Sequence, residues 1–317
     1  MIRRFKHFVA DKVVTWLTRE PASGGSFLCD FDRICFEIRT ADVLLIEGRT
    51  RVSDVIKTVT QSPWSHSALY LGRLSDIEDA NVRKQIRDHY DGDDHDQLIL
   101  EALLGHGTII TPLKRYRDEH IRICRPQALS PADAQSVIAY AVHHLGWGYD
   151  IRQLLDLARF LFPWSILPRR WRSSLFQHNA GGPTRTVCSS MLAAAFASVH
   201  YPIRPVIQRT GDGQLKLYKR NFRLFTPSDF DYSPYFDIIK YPYLGFDDVA
   251  LYRHLPWDEE GVVCNDANDC FAPEQVLPEG ELLDELDNSA DTDHDTVGSR
   301  RRPAINLIGR ADSDTAR

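Results

Sequence analysis

"QSPWSHSALYLG" spans residues 61–72, and its reading decides the fold. Ala68, Leu69, Tyr70 and Leu71 make an apolar run of strand length, closed by Gly72. Pro63 and Trp64 stand before the run, and His66 sits at its mouth. A histidine there is either a core residue with a satisfied hydrogen bond or a working base.

Outward from this strand the signals alternate. "DVLLI" (42–46) reads as a strand, and "RVSDVIKTV" (51–59) places Val52, Val55, Ile56 and Val59 at helical spacing. After a polar insertion (75–96) come three further strands, at 97–104, 107–113 and 121–124. A helix over 131–145 carries Ser130 as N-cap, Pro131 in its first turn and Gly146 as its stop. "GWGYD" (146–150) leads into "IRQLLDLARFLF", which Pro163 closes. A loop with Gly181, Gly182 and Pro183 then precedes a helix over 187–199. The pattern is α+β: an antiparallel sheet packed against helices gathered on one side.

The flanks differ from this body. Residues 1–20 set Phe5, Val9, Val13, Trp16 and Leu17 on one helical face, with Arg3, Lys6, Lys12 and Arg19 mostly elsewhere. Such a helix can lie on an anionic membrane surface or pack on its own domain, and periodicity does not separate the two. Residues 258–317 carry 16 acidic and 5 basic side chains, against 28 and 33 in residues 1–257. An acidic segment with few aromatics buries too little apolar surface to offset its ordering entropy, so 258–317 is expected to be a disordered tail. "DTDHDTVG" (291–298) fails as a calcium loop: Thr296 stands where a glycine is needed and Arg302 where a glutamate is needed. The body between these flanks is then one domain over 21–257.

The composition narrows the class. The chain has 317 residues, 43% of them hydrophobic, enough for one large core or two small ones. No run of eighteen apolar residues is present, and the first twenty residues lack the apolar stretch and cleavage site of a secretory signal. These features suggest a reducing cytoplasm, with a peripheral place on the inner face of the membrane if the first helix binds lipid. The six cysteines include no C-x-x-C, so no pairing is required and zinc is not expected; no metal and no cofactor are anticipated. The excess of five positive charges in the body is too modest, and too poor in motifs, for nucleic acid.

Chemistry concentrates at "TRTVCSSMLAAAF" (184–196). Met191, Leu192, Ala195, Phe196 and Val199 form the buried stripe of a helix that begins at Cys188. A thiol at a helix start feels the positive end of the dipole, which favours the thiolate. Thiolate catalysis also needs a base and a group to orient it. His66 and Glu101 are the candidates, the second because a carboxylate between "LIL" and "ALL" is rarely buried unless paired. Read blandly, Cys188 is a small hydrophobe and Glu101 faces out from an edge. His106, His143, His144 and His200 compete with His66, and spacing does not choose among them.

The ordered set "ADVLLIEG", "SHSALYLG", "LILEALLG", "GWGYD" and "TVCSSM" resembles the circularly permuted papain-like hydrolases of the YiiX type, in the NlpC-type superfamily and related to the lecithin–retinol acyltransferases. The resemblance, which covers about residues 41–240, implies a permuted papain-like fold in which the strand block precedes the cysteine helix. It implies Cys188 as nucleophile, His66 as base and Glu101 as the third member, with Tyr149 of "GWGYD" reaching the site. Ala41–Asp42 stands where the family has Gly-Asp, and Ser190 replaces its usual acid after the cysteine.

Two enzymatic readings follow, an amidase or peptidase and a lipid acyl hydrolase or transferase. A third is a ligand-binding module on the same fold without turnover. The expected partners are an amide- or acyl-containing substrate and an anionic membrane surface. The second of these rests on residues 1–20 and on "RFLFPWSILPRRWRSSLF" (159–176), where aromatics crowd beside arginines.

Overall fold

The computed structural model describes residues 28–149, 185–186, 188–211, 213–246, 248–255, 257, 262–266 and 269–272. The expected helix over 1–20, the aromatic–arginine stretch 159–176 and most of 258–317 lie outside these.

The first half of the described chain runs α1 (Phe31–Glu37), β1 (Val43–Glu47), α2 (Arg51–Thr60), β2 (His66–Gly72), α3 (Ala80–Arg87), β3 (Leu98–Leu103), β4 (Gly107–Pro112), β5 (His120–Pro126) and α4 (Pro131–Val142). The second half adds β6 (Gly148–Tyr149), β7 (Arg185–Thr186), α5 (Cys188–Ser198), β8 (Val206–Arg209), β9 (Leu215–Tyr218), the single turn α6 (Ser228–Asp231) and β10 (Phe236–Ile239). One six-stranded sheet in the order β10-β5-β1-β2-β3-β4, antiparallel throughout, organises them. Mixed helices on an antiparallel sheet make the fold α+β.

Local chemistry sets most of the ends. The Thr50 side chain accepts from the Ser53 N–H at the start of α2, and Ser130 accepts from the Asp133 N–H at the start of α4. Helix α3 lies in the insertion read only as polar. Asp79 caps it, and Val82 and Ile86, one turn apart, supply its buried side.

Alternation along the strands divides the core in two. Val43, Leu45, Leu69, Leu71, Leu98 and Leu100 pack with Val137, Ile138 and Ala141 of α4 and with Met191, Leu192 and Phe196 of α5. Leu44, Ile46, Ala68, Tyr70, Ile99 and Ile123 pack the other way, against Phe31 and Ile34 of α1. The expectation of helices on one side alone is therefore corrected: α1 covers the second face. The physical sign is in the strands. "VLLI" and "ALYL" are continuous apolar runs, as strands buried on both faces must be.

Buried polar groups tie the sheet together. Asp42, 1% exposed, accepts from Arg125 Nε (3.1 Å) and Nη2 (2.8 Å) and from the Arg39 backbone N–H (2.8 Å). Ala41, just before it, is fully buried at φ +67°.

The region His254–Arg317 is a separate unit. Within it β11 (Val263–Asp266) and β12 (Asp269–Phe271) pair antiparallel, and Cys264 and Cys270, facing one another in that register, form a disulfide. The sequence required no cysteine pairing, and this one pair comes from the hairpin. The cysteines are cross-strand neighbours at a Cα separation of 3.9 Å.

Candidate active site

His66 opens β2, opposite Ile46 of β1. On the other side of β2, Leu69 faces Leu100 of β3. Continued one residue, this register sets Glu101 across from Ala68, on the same face as His66 and diagonal to it. The side chains meet: His66 Nε2 lies 2.6 Å from Glu101 Oε2, and the carboxylate is fully buried. The same oxygen accepts from the Tyr116 hydroxyl at 2.5 Å. Tyr116 ends a short turn, Leu113–Tyr116, directly after β4. Thr111, diagonal to Glu101 on β4, turns its hydroxyl toward the carboxyl and helps keep it ionised.

Cys188 is the first residue of α5 and is 4% exposed. It is hydrogen-bonded to the imidazole of His66. With Nε2 engaged by Glu101, Nδ1 is the nitrogen left for the thiol. Strand β4 helps hold the approach to Cys188. Thr108 N–H donates to Trp147 O (2.8 Å) and Gly146 N–H to Thr108 O (3.0 Å). Gly107, at φ +78°, passes so close that a Cβ would stand 2.2 Å from Trp147 O. Tyr149 then pairs in parallel with Thr186, two residues before Cys188.

The electrostatics are those of a coupled triad. Burial works against every charge in it. For Cys188 the neighbouring imidazolium outweighs burial, and the thiol pKa is lowered from its usual value near 9.0. For His66 burial is outweighed by the sulfur and by Glu101, and its pKa is raised. Burial would raise Glu101, but its bonds to His66 and Tyr116, with the Thr111 hydroxyl nearby, keep its pKa below the ordinary value. The arrangement favours a thiolate–imidazolium pair backed by a carboxylate.

A cleft of about 380 Å³ reaches Cys188, His66 and Tyr116. Its walls mix Ile46, Val52, Leu103 and Leu104 with Arg49, Thr50, Ser53, Arg115 and Glu119.

Of the residues named from sequence, the structure brings Cys188, His66 and Glu101 together. Tyr149 is near them by backbone, and its side chain lies outside the described features. His106 lines the same cleft, while His200 lines a different cavity. His144 Nδ1 donates to Tyr140 O (2.7 Å), with its ring tilted against that of Trp147. Sequence reading missed Tyr116, whose one signal was its place just past the end of a strand next to Glu101's. Among the described residues, no group of three or more His, Cys, Asp or Glu side chains is arranged to hold a metal ion. Among them, too, no helix is long and apolar enough to cross a membrane.

A buried thiol, imidazole and carboxylate in this order make a site of the cysteine-hydrolase type. Residues 37–158 match the family of permuted papain-like amidase enzymes, YaeF/YiiX, C92, and the resemblance read from the strand and "GWGYD" motifs falls inside that span. The matched segment carries His66, Glu101 and Tyr149 and ends before Cys188. A crystal structure of the metalloprotein YiiX from Escherichia coli O157:H7 is 14% identical to this chain, covering 64% of it and 97% of its own length with a TM-score of 0.39. No curated protein matches the chain.

Proposed function

We propose that the protein is an amidase-type cysteine hydrolase. The observation that carries this reading is the imidazole of His66, held by Glu101 at 2.6 Å on one nitrogen and hydrogen-bonded to Cys188 on the other side. Cys188 Sγ attacks an acyl carbon as the thiolate. His66, as imidazolium, protonates the leaving group, which departs to leave a thioester on sulfur. His66, now neutral, takes a proton from water, whose oxygen attacks the thioester and releases the acid and the thiol. Glu101 keeps the ring oriented and stabilises its charge. The backbone N–H of Cys188, in the first turn of α5, has no intrahelical acceptor and on this reading stabilises the oxyanion. The Tyr149 hydroxyl is a further helper on this reading, and a Tyr149→Phe variant with unchanged turnover removes it.

The lining of the cleft favours a polar amide over a long acyl chain. Arg49, Arg115, Glu119, Thr50 and Ser53 would have to be desolvated by an alkyl tail without return. The decisive measurement is the rate of Cys188 alkylation by iodoacetamide against pH, mapped by peptide mass, in the wild type and in His66→Ala. Reaction well below pH 8, lost with His66, is expected. A Cys188 no more reactive than Cys29, Cys35 or Cys124, or indifferent to His66, overturns the hydrolase and leaves a binding module.

A further inference from the structure

Ser67 is fully buried, and its hydroxyl has no hydrogen-bond partner among the described residues. It sits between His66 and Ala68 but faces the opposite way. By the alternation of β2 it shares a face with Leu69 and Leu71, the row that packs under α4 and α5. Ser67 is thus the last residue of an apolar row at the point where α5 begins, and α5 begins with Cys188. From that face its hydroxyl and its backbone N–H act on the Cys188 thiol and help to lower its pKa.

Size alone does not account for a serine here. Alanine would let the start of α5 approach as closely and would leave no hydroxyl stranded in an apolar layer. The acceptor beside that hydroxyl is sulfur. A neutral thiol accepts a hydrogen bond weakly, and a thiolate accepts one strongly. We propose that Ser67 is the resident donor to the Cys188 thiolate, a bond made when the sulfur is charged and released when the sulfur is acylated. The inference rests on the cysteine-hydrolase reading and deepens it. His66 supplies the counter-charge from one side of β2, and the residue next to it in sequence supplies a neutral donor from the other. A strand is the element that makes this pairing, because successive side chains straddle the sheet.

The lost bond also sets the direction of catalysis. In the thioester the sulfur is a poor acceptor, so the Ser67 hydroxyl favours return of the thiolate in the deacylation step. Removing it should weaken thiolate formation without removing the nucleophile.

The test uses the full chain. The alkylation profile of Cys188 is measured in the wild type, Ser67→Ala and Ser67→Thr, the last retaining the hydroxyl. Ser67→Ala should move the acid limb up by about 1 pH unit, with a rate about tenfold lower below it, and Ser67→Thr should restore most of the difference. A Ser67→Ala profile superimposed on the wild type overturns the proposal while leaving the hydrolase reading intact. A wild type with no low-pH thiolate overturns the hydrolase reading and this proposal with it. A second measurement covers a threonine variant that does not fold. At pH 7 Ser67→Ala should lower Tm by about a few degrees when Cys188 is present and should not lower it in a Cys188→Ala background. An equal effect in both backgrounds overturns the proposal.

Discussion

His66 Nε2 and Glu101 Oε2 are 2.6 Å apart although 35 residues separate them in the chain. The two strands that carry them are neighbours, and the contact is a diagonal pair on one face of the sheet. The Cys188 sulfur and then the carboxylate raise the His66 pKa, so the imidazolium persists to a higher pH than that of a free histidine. Glu101→Gln keeps the shape and removes the charge. The imidazolium should then be lost at a lower pH and the Cys188 thiolate should form less readily. Alkylation of Cys188 near pH 6 should slow by about 10-fold or more, and turnover of an amide substrate by about 100-fold. An unchanged profile in pH-dependent alkylation would show that the carboxylate is a packing feature.

Tyr116 donates to the same carboxylate oxygen at 2.5 Å. Its own pKa is raised by burial and by Glu101, so it remains a neutral donor at every pH at which the enzyme would work. Tyr116→Phe withdraws that donor, and the Glu101 pKa should rise toward its ordinary value. The expected cost is about 1.5–3 kcal/mol of stability at neutral pH, since the bond is to a charged acceptor. Because Glu101 is held below its unfolded pKa, its contribution is present above pH 4.5 and fades as pH falls through the lower folded value. The Tyr116→Phe penalty should therefore shrink in acid, which urea melts at pH 7 and pH 4 would measure.

Ala41 occupies a left-handed backbone conformation, φ +67°, with its methyl fully buried. This is the position at which the family resemblance calls for glycine. Relief of strain by Ala41→Gly, about 1–2 kcal/mol, is offset by the added freedom of the unfolded chain and by the lost methyl burial. That variant should lie within about 1 kcal/mol of the wild type. Ala41→Val adds both a β-branch at positive φ and volume in a filled core, and should cost about 2–4 kcal/mol. Thermal melts of the pair separate a conformational constraint from a purely packing one. Equal Tm values would refute it.

Asp42 follows Ala41 and is held by Arg125 across the sheet from β5. Arg125→Met leaves a buried carboxylate without its partner and should cost about 3–5 kcal/mol. Adding Asp42→Asn removes the orphaned charge and should recover a large part of that loss. Failure of the double variant to regain stability in denaturant melts would place the effect in packing.

Much of this was legible along the chain because it is local. The cap and first turn of α4 are written in Ser130 and Pro131; the helix ends at Val142, short of the expected 145, and a turn carries the chain on to Gly146, at φ +76°. The strands around "DVLLI" and "SALYL" were readable as apolar runs, and the helix that begins at Cys188 as an apolar stripe. The sequence by itself determined these elements, their order and the residue types able to do thiol chemistry.

Only the tertiary structure decided which of them meet. His66, His106, His143, His144 and His200 are alike as letters, and it is the register of β2 against β3 that brings His66 to Glu101. Tyr116 and Ser67 entered the site the same way, one from a turn after β4 and the other from the reverse face of β2. Helix α1 and the Cys264–Cys270 pair were not anticipated either, because burial of a second sheet face and the approach of two thiols depend on partners distant in or opposite along the chain. Periodicity reports which way a side chain points from its own element, and a catalytic contact depends on what the rest of the fold places there.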